Sequence, residues 1–281
     1  FDIAKTEKNE ADYIPKNTTW IKEAVATFSP EKNAVTCTNG SEITYDYLVV
    51  CPGIQLDWDK IEGLTETLGK NEVSSNYSFK TAPYTWELIK NFKGGTAVFT
   101  NPSTPIKCGG APQKIMYLAC DYWRKKGILD QCDVHYVSGA GVIFGVPEYA
   151  ETLKKKVAQY NIKVHFGANV TAIDGKTKTI HFESKEQPKD LENKFSTLQA
   201  SCYGISDVQE EASTSKVSLN FDICHTVPPQ SAPDFIKNSP LRDANNALGY
   251  VEIDKHTMQH SRFKNIFALG DCTNAPCSKT G

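Results

Sequence analysis

The sequence predicts an α/β fold with a parallel sheet, on three observations. Apolar runs of strand length at residues 46–52, 96–100 and 133–138 alternate with segments of helical period at 84–92, 113–125 and 147–160. The order β-α-β-α-β from residue 96 to 166 requires crossover connections, and therefore a parallel, right-handed unit. Glycine and proline punctuate the ends of several of these strands, as they do where a ligand approaches the carboxyl edge of an open sheet.

The elements follow in chain order. Residues 19–25 suit a short strand, and 34–37 with 42–45 read as a hairpin around Asn39-Gly40, a pair that accepts the positive φ of a tight turn. The run D-Y-L-V-V-C-P at 46–52 is nearly continuous in its apolar character, so it reads as a buried parallel strand. Gly53 closes it and lets a ligand come close to the backbone. In the helix at 84–92, Trp86, Ile89 and Phe92 share a face. In the helix at 113–125, Ile115, Leu118, Ala119 and Tyr122 share one side. Short strands are expected at 163–166, 171–173 and 179–183. The stretch 186–216 is polar and lacks a period, which suggests an irregular insertion. Strand structure resumes over 217–227 and ends at Pro228-Pro229. Residues 261–272 form a short strand closed by Gly270-Asp271, which places a carboxylate where a cofactor hydroxyl could be held. A helix is expected to begin within 273–281 and to face the same ligand.

The most informative stretch is N-P-S-T-P-I-K-C-G-G-A-P-Q-K at 101–114. A strand feeds a loop rich in proline and glycine, which carries Cys108 to the start of a helix. A nicotinamide-binding protein would place G-x-G-x-x-G there, and here a thiol stands in its stead. Pro112 suits the first helical position, where its missing N–H costs nothing. The helix N-terminus contributes about 0.3–1 kcal/mol toward an anion, too little by itself, and Lys107 and Lys114 add positive charge that favours the thiolate. A core cysteine would be flanked by Val, Leu or Ile; Cys108 has Lys, Gly and Pro instead.

Composition narrows the function classes. The 281 residues carry 31 basic and 33 acidic side chains, a net charge of -2 with pI near 6.3, and no basic block, so nucleic acid is not an expected partner. No run of eighteen apolar residues occurs. Nine cysteines without regular spacing argue for a reducing compartment rather than a disulfide framework. Cys272 and Cys277 have no C-x2-C or H-x3-H companions, so no metal site is expected. The histidines, including His225, His256 and His260, are dispersed and read as structural or surface residues. The chain opens on Phe1-Asp2 and reads as an internal fragment.

Taken together, Y-D-Y-L-V-V-C-P-G-I-Q-L-D, S-N-Y-S, P-I-K-C-G-G-A-P-Q-K-I-M-Y-L, I-F-G-V, V-P-P and A-L-G-D-C-T-N resemble the sulfide:quinone oxidoreductase family in its eukaryotic mitochondrial form. The resemblance covers nearly the whole chain. It implies two Rossmann-like dinucleotide-binding domains of a flavin disulfide-reductase-like fold, incomplete at both ends. Residues 1–80 and 246–281 would belong to the FAD domain, and 81–245 would form the second domain with the redox cysteine. FAD is the implied cofactor. Asp271 and Gly270 would meet its ribityl or pyrophosphate region, Gly53 would permit close approach, Val25 would lie at the adenine, and Lys114 would contact the flavin. Cys108 matches one of two redox cysteines, which would form a persulfide from hydrogen sulfide and pass two electrons through the flavin to quinone. A small acceptor such as sulfite, glutathione or cyanide would take the sulfur. The family's first G-x-G-x-x-G, second redox cysteine and membrane-docking helices are not in these residues, so the fragment is expected to be inactive alone. Mitochondrial location with peripheral contact to the inner membrane follows from the same likeness. An NAD(P)H-dependent flavoprotein dehydrogenase or disulfide reductase, and a non-catalytic remnant of the fold, are the alternative readings.

Overall fold

Five parallel strands form the main sheet of the computed structural model, which describes residues 3–184, 214–276 and 279. Their order is Val73–Ser74, Ile223–His225, Gly95–Asn101, Cys132–Ser138 and Lys163–His165. The helices Ala111–Lys125 and Pro147–Gln159 make the two crossovers expected from the sequence. A third helix, Ala82–Asn91, precedes the central strand.

The helix after Cys108 begins at Ala111, with Pro112 one position later than expected. Its buried face also differs from the expected one. Met116, Ala119, Cys120 and Trp123 are buried, whereas Leu118 is 61% exposed. Trp123 sets this rotation: its ring lies 4.8 Å from that of Phe92, and its indole N–H donates to the Ile89 carbonyl at 2.9 Å. A large ring with a satisfied polar atom outweighs an aliphatic side chain in the competition for the core. Truncating it to alanine would cost about 3–5 kcal/mol.

A three-stranded antiparallel sheet, Ala168–Asp174, Thr179–Ser184 and Ser215–Asn220, shares a second apolar cluster with the main sheet through Val98, Val137, Ile173, Ile180 and Phe182. Alternate residues of Thr179–Ser184 are buried, the pattern of a strand with one covered face. Ser215 and Lys216, expected in an irregular insertion, begin the third strand. Residues 186–213 of that insertion lie outside the described residues.

These sheets belong to a unit comprising Leu56–Gln230 and Ser278–Thr280; a second unit comprises Phe1–Gln55, Ser231–Cys277 and Gly281. The expected boundaries at 80 and 245 lie further along the chain than this division. Val73–Ser74 joins the main sheet, and Glu62 donates to the Thr171 carbonyl at 3.0 Å, which draws residues 56–80 into the first unit described. Ala232, Ile236 and Leu241 pack with Phe28, Val50 and Ile266, which draws 231–245 into the other.

In that other unit the hairpin turns where expected, between Ala34–Cys37 and Glu42–Thr44, with Gly40 at φ +83°. The preceding strand is Val25–Ser29 rather than 19–25, because Phe28 supplies the buried side chain that registers it against Val35. Leu48–Val50 pairs in parallel with Ile266–Ala268. Val50 is buried, but Val49 is 55% exposed, so this strand is covered on one face only. Residues 273–276 are not helical, and the rest of the helix expected from 273 lies outside the described residues except for Lys279.

Candidate active site

Asn101 ends the central strand, and the loop from Pro102 to Gly110 delivers Cys108 to the mouth of the helix Ala111–Lys125. Ile106, 8% exposed, anchors the loop, while Lys107, Cys108 and Gly109 are exposed. Cys108 has φ +61°, in the left-handed region that costs a residue with a Cβ roughly 1–2 kcal/mol. The surrounding bonds over-determine that conformation. The Cys108 N–H donates to the Lys279 carbonyl at 2.8 Å, and the Cys108 carbonyl accepts from the Ala111 N–H at 2.9 Å. Strain of this kind is often stored where a side chain must be presented to a reactant.

Contrast with the other thiols sharpens the assignment. Cys37, Cys120, Cys224 and Cys272 are buried, and burial pushes the thiols of Cys120 and Cys224 up to about 12 and that of half-buried Cys132 up to about 11. The Cys120 and Cys224 groups are therefore uncharged thiols at neutral pH and shielded from solvent. Among the described residues, Cys108 and Cys51 are exposed. The exposure of Cys51, one residue past Leu48–Val50, is not signalled by the sequence, where it sits in an apolar run. Lys107 and Lys114 both carry exposed side chains. Tyr77, which no local spacing links to Cys108, donates its phenol hydrogen to the Lys107 carbonyl at 2.7 Å.

A second set of residues lies at the strand ends of the other unit. Parallel pairing of Leu48–Val50 with Ile266–Ala268 and the bond from the Leu269 N–H to the Val50 carbonyl, 3.0 Å, bring the turns carrying Gly53 and Gly270-Asp271 to the same edge. Gly53 has φ +75° and Gly270 φ +74°, and a Cβ at either would meet no atom within 4 Å. Both turns therefore leave open space against bare backbone, with the buried Asp271 carboxyl beside Gly270. A polar group could lie on this edge and donate hydroxyls to Asp271. Cys272, fully buried with its thiol directed at the Val50 and Leu269 carbonyls, belongs to the core beneath. Val25 opens the strand Val25–Ser29 opposite Cys37 and packs against the same core. The six expected site residues thus divide, with Cys108 and Lys114 in one unit and Val25, Gly53, Gly270 and Asp271 in the other.

The histidines described here have structural tasks. His260 is fully buried, its Nδ1 accepting from the Arg262 N–H at 3.1 Å and its Nε2 facing the Leu241 carbonyl at 3.1 Å. His135 and His165 stack and bond ring to ring at 2.8 Å. Among the described residues no cluster of three or more His, Cys, Asp or Glu side chains is arranged for a metal ion, and no helix is long and apolar enough to cross a membrane.

No family model matches the sequence. The chain is 41% identical over all 281 residues to the mitochondrial sulfide:quinone oxidoreductase of Dictyostelium discoideum, covering 56% of that protein. It is 36% identical over 279 residues to the mouse protein of the same name, again covering 56% of it. The chain therefore spans about half the length of the curated relatives it matches. Among solved structures, a chain of the Tetrahymena thermophila mitochondrial ATP synthase assembly aligns with TM-score 0.70 and 21% identity, over 96% of this chain and 60% of that one. The sulfide:quinone oxidoreductase of the bacterium Aquifex aeolicus aligns with TM-score 0.67 and 20% identity, over 90% of this chain and 52% of that one. NDH2 of Plasmodium falciparum aligns at TM-score 0.57 and 14% identity, over 90% of this chain and 49% of that one, and shares the fold. From end to end, the chain is thus similar to mitochondrial sulfide:quinone oxidoreductases, over about half of their length.

Proposed function

We propose that the protein containing these residues oxidises hydrogen sulfide at Cys108 and passes the electrons by way of FAD to quinone. The observation that carries this reading is the exposed Cys108 thiol, held in a strained backbone conformation at the mouth of a helix that follows the central strand. In the proposed reaction hydrosulfide attacks the Cys108 sulfur of a disulfide or sulfur-bridged pair; the new S–S bond forms as the old one breaks, and the partner leaves as a thiolate from a disulfide, or as a perthiolate carrying the bridging sulfur. The Cys108 persulfide then yields its outer sulfur to a small nucleophilic acceptor such as sulfite, glutathione or cyanide. FAD, when bound, supplies two-electron acceptance from sulfur and donation to quinone. Asp271 would accept a hydrogen bond from a ribityl hydroxyl, with Gly53 and Gly270 allowing the backbone to approach, Val25 beside the adenine and Lys114 near the flavin. The names of the relatives support mitochondrial location; inner-membrane association is part of the proposal, as the route to quinone.

Cys108→Ser in the full-length protein tests this reading. Sulfide-dependent quinone reduction should fall below a tenth of wild type while FAD content stays unchanged; retention of more activity than that would remove Cys108 from the reaction. The alternative of a nicotinamide-dependent dehydrogenase, suggested by the fold shared with NDH2, needs a phosphate-binding glycine pattern where P-I-K-C-G-G-A-P stands. Rapid bleaching of the flavin by NADH would favour it.

A further inference from the structure

The turn S-N-Y-S at 75–78 is fixed from beneath by buried groups of its own unit. The Asn76 N–H donates to His225 Nε2 at 2.9 Å, and Thr81 Oγ1 donates to the Ser75 carbonyl at 2.6 Å. Burial holds the His225 imidazole neutral, down at about 4, so Nε2 keeps the lone pair that this bond requires. From this base the Tyr77 phenol reaches the Lys107 carbonyl at 2.7 Å. Lys279 receives the Cys108 N–H at 2.8 Å, so the single peptide unit joining Lys107 to Cys108 is held at both its oxygen and its nitrogen. One residue back, the Lys107 N–H donates to Oε1 of fully buried Gln230, whose own N–H donates to Thr104 Oγ1 at 3.0 Å. The loop's glycines do not supply this rigidity: Gly109 and Gly110 contact nothing within 4 Å of a would-be Cβ.

We propose that Tyr77 is a positioning residue for Cys108: by holding the Lys107 carbonyl it keeps the following residue in the left-handed conformation that presents the sulfur. The proposal rests on the reading of Cys108 as the reacting sulfur. Burial, and after it the nearby Cys108 sulfur, push the Tyr77 hydroxyl above its ordinary range, so it stays a donor throughout the working pH.

The test is Tyr77→Phe in the full-length protein, which keeps the ring and deletes one hydrogen bond. Loss of one such bond predicts roughly five- to tenfold faster amide exchange over residues 104–110 and a kcat for sulfide-dependent quinone reduction lower by a similar factor. Quinone KM and FAD content should change less than twofold. Tyr84→Phe is the matched control, because that phenol accepts the Glu72 N–H at 3.1 Å in the same unit, and it should leave both readouts within twofold. Unchanged exchange and kcat in Tyr77→Phe, or equal effects of the two variants, would overturn the proposal. If Cys108→Ser retains activity, the reading of the thiol fails, while exchange at 104–110 still decides whether Tyr77 holds the loop.

Discussion

Gly139→Ala should damage the thiol loop without touching the thiol. Gly139 follows the strand Cys132–Ser138 and donates its N–H to the Asn101 carbonyl at 2.8 Å, beside the start of that loop. A Cβ at this position would overlap the Ser103 backbone nitrogen and lie 2.7 Å from both Ser103 Cα and Asn169 Oδ1. Backbone cannot swing aside as a flexible side chain would, so residues 102–104 must shift, and overpacking of this kind costs about 1–3 kcal/mol. For a unit of this size that lowers the thermal midpoint by roughly 2–12 °C. Displacing Ser103 also moves Thr104, the partner of Gln230, and should lower sulfide-dependent activity. Calorimetry and steady-state assays of the full-length protein, with Gly141→Ala as reference, read both effects. A Cβ on Gly141 meets nothing within 4 Å and its φ is not left-handed, so that change should be neutral or stabilising by up to about 1 kcal/mol. Equal midpoints and activities for the two variants would refute the reasoning.

Asp271→Ala should weaken FAD retention more than it alters sulfur transfer by protein already loaded, as measured by flavin content after dialysis; full retention would contradict the role given to that carboxyl. Stability should fall as pH drops from about 6.5 toward 4. His225 has its pKa lowered to about 4 by burial, so the unfolded chain binds the extra proton first, and the contribution is complete above the unfolded value and lost below it. The expected loss for this residue is on the order of 2–3 kcal/mol, read as a steeper pH slope of the thermal midpoint than in His225→Phe; identical slopes would rule it out.

Much of this architecture is legible in the sequence because local chemistry and tertiary structure agree there. Asn39-Gly40 turns a hairpin, the runs at 96–100 and 133–138 become neighbouring parallel strands, and the loop around Cys108 carries no apolar flank that would bury it. What escapes has a physical cause in each case. The helix Ala111–Lys125 has apolar residues around most of its circumference, so periodicity does not choose between the Leu118 face and the Trp123 face; the aromatic partners Phe92 and Phe99 do. Tyr77 meets Lys107 across thirty residues of sequence and Gln230 meets it across 123, separations at which spacing carries no signal. Local sequence favours a strand at 19–25, whereas the strand forms at Val25–Ser29 because its registration depends on Phe28 packing in a core completed by residues beyond 231.

Anaerobic titration of the full-length protein with sulfide, followed by visible absorbance, tests most directly whether Cys108 is the sulfur that reacts beside a flavin. A long-wavelength charge-transfer band should grow in the wild type and be missing from Cys108→Ser at equal FAD content. The same band at the same sulfide concentration in both proteins would contradict the account.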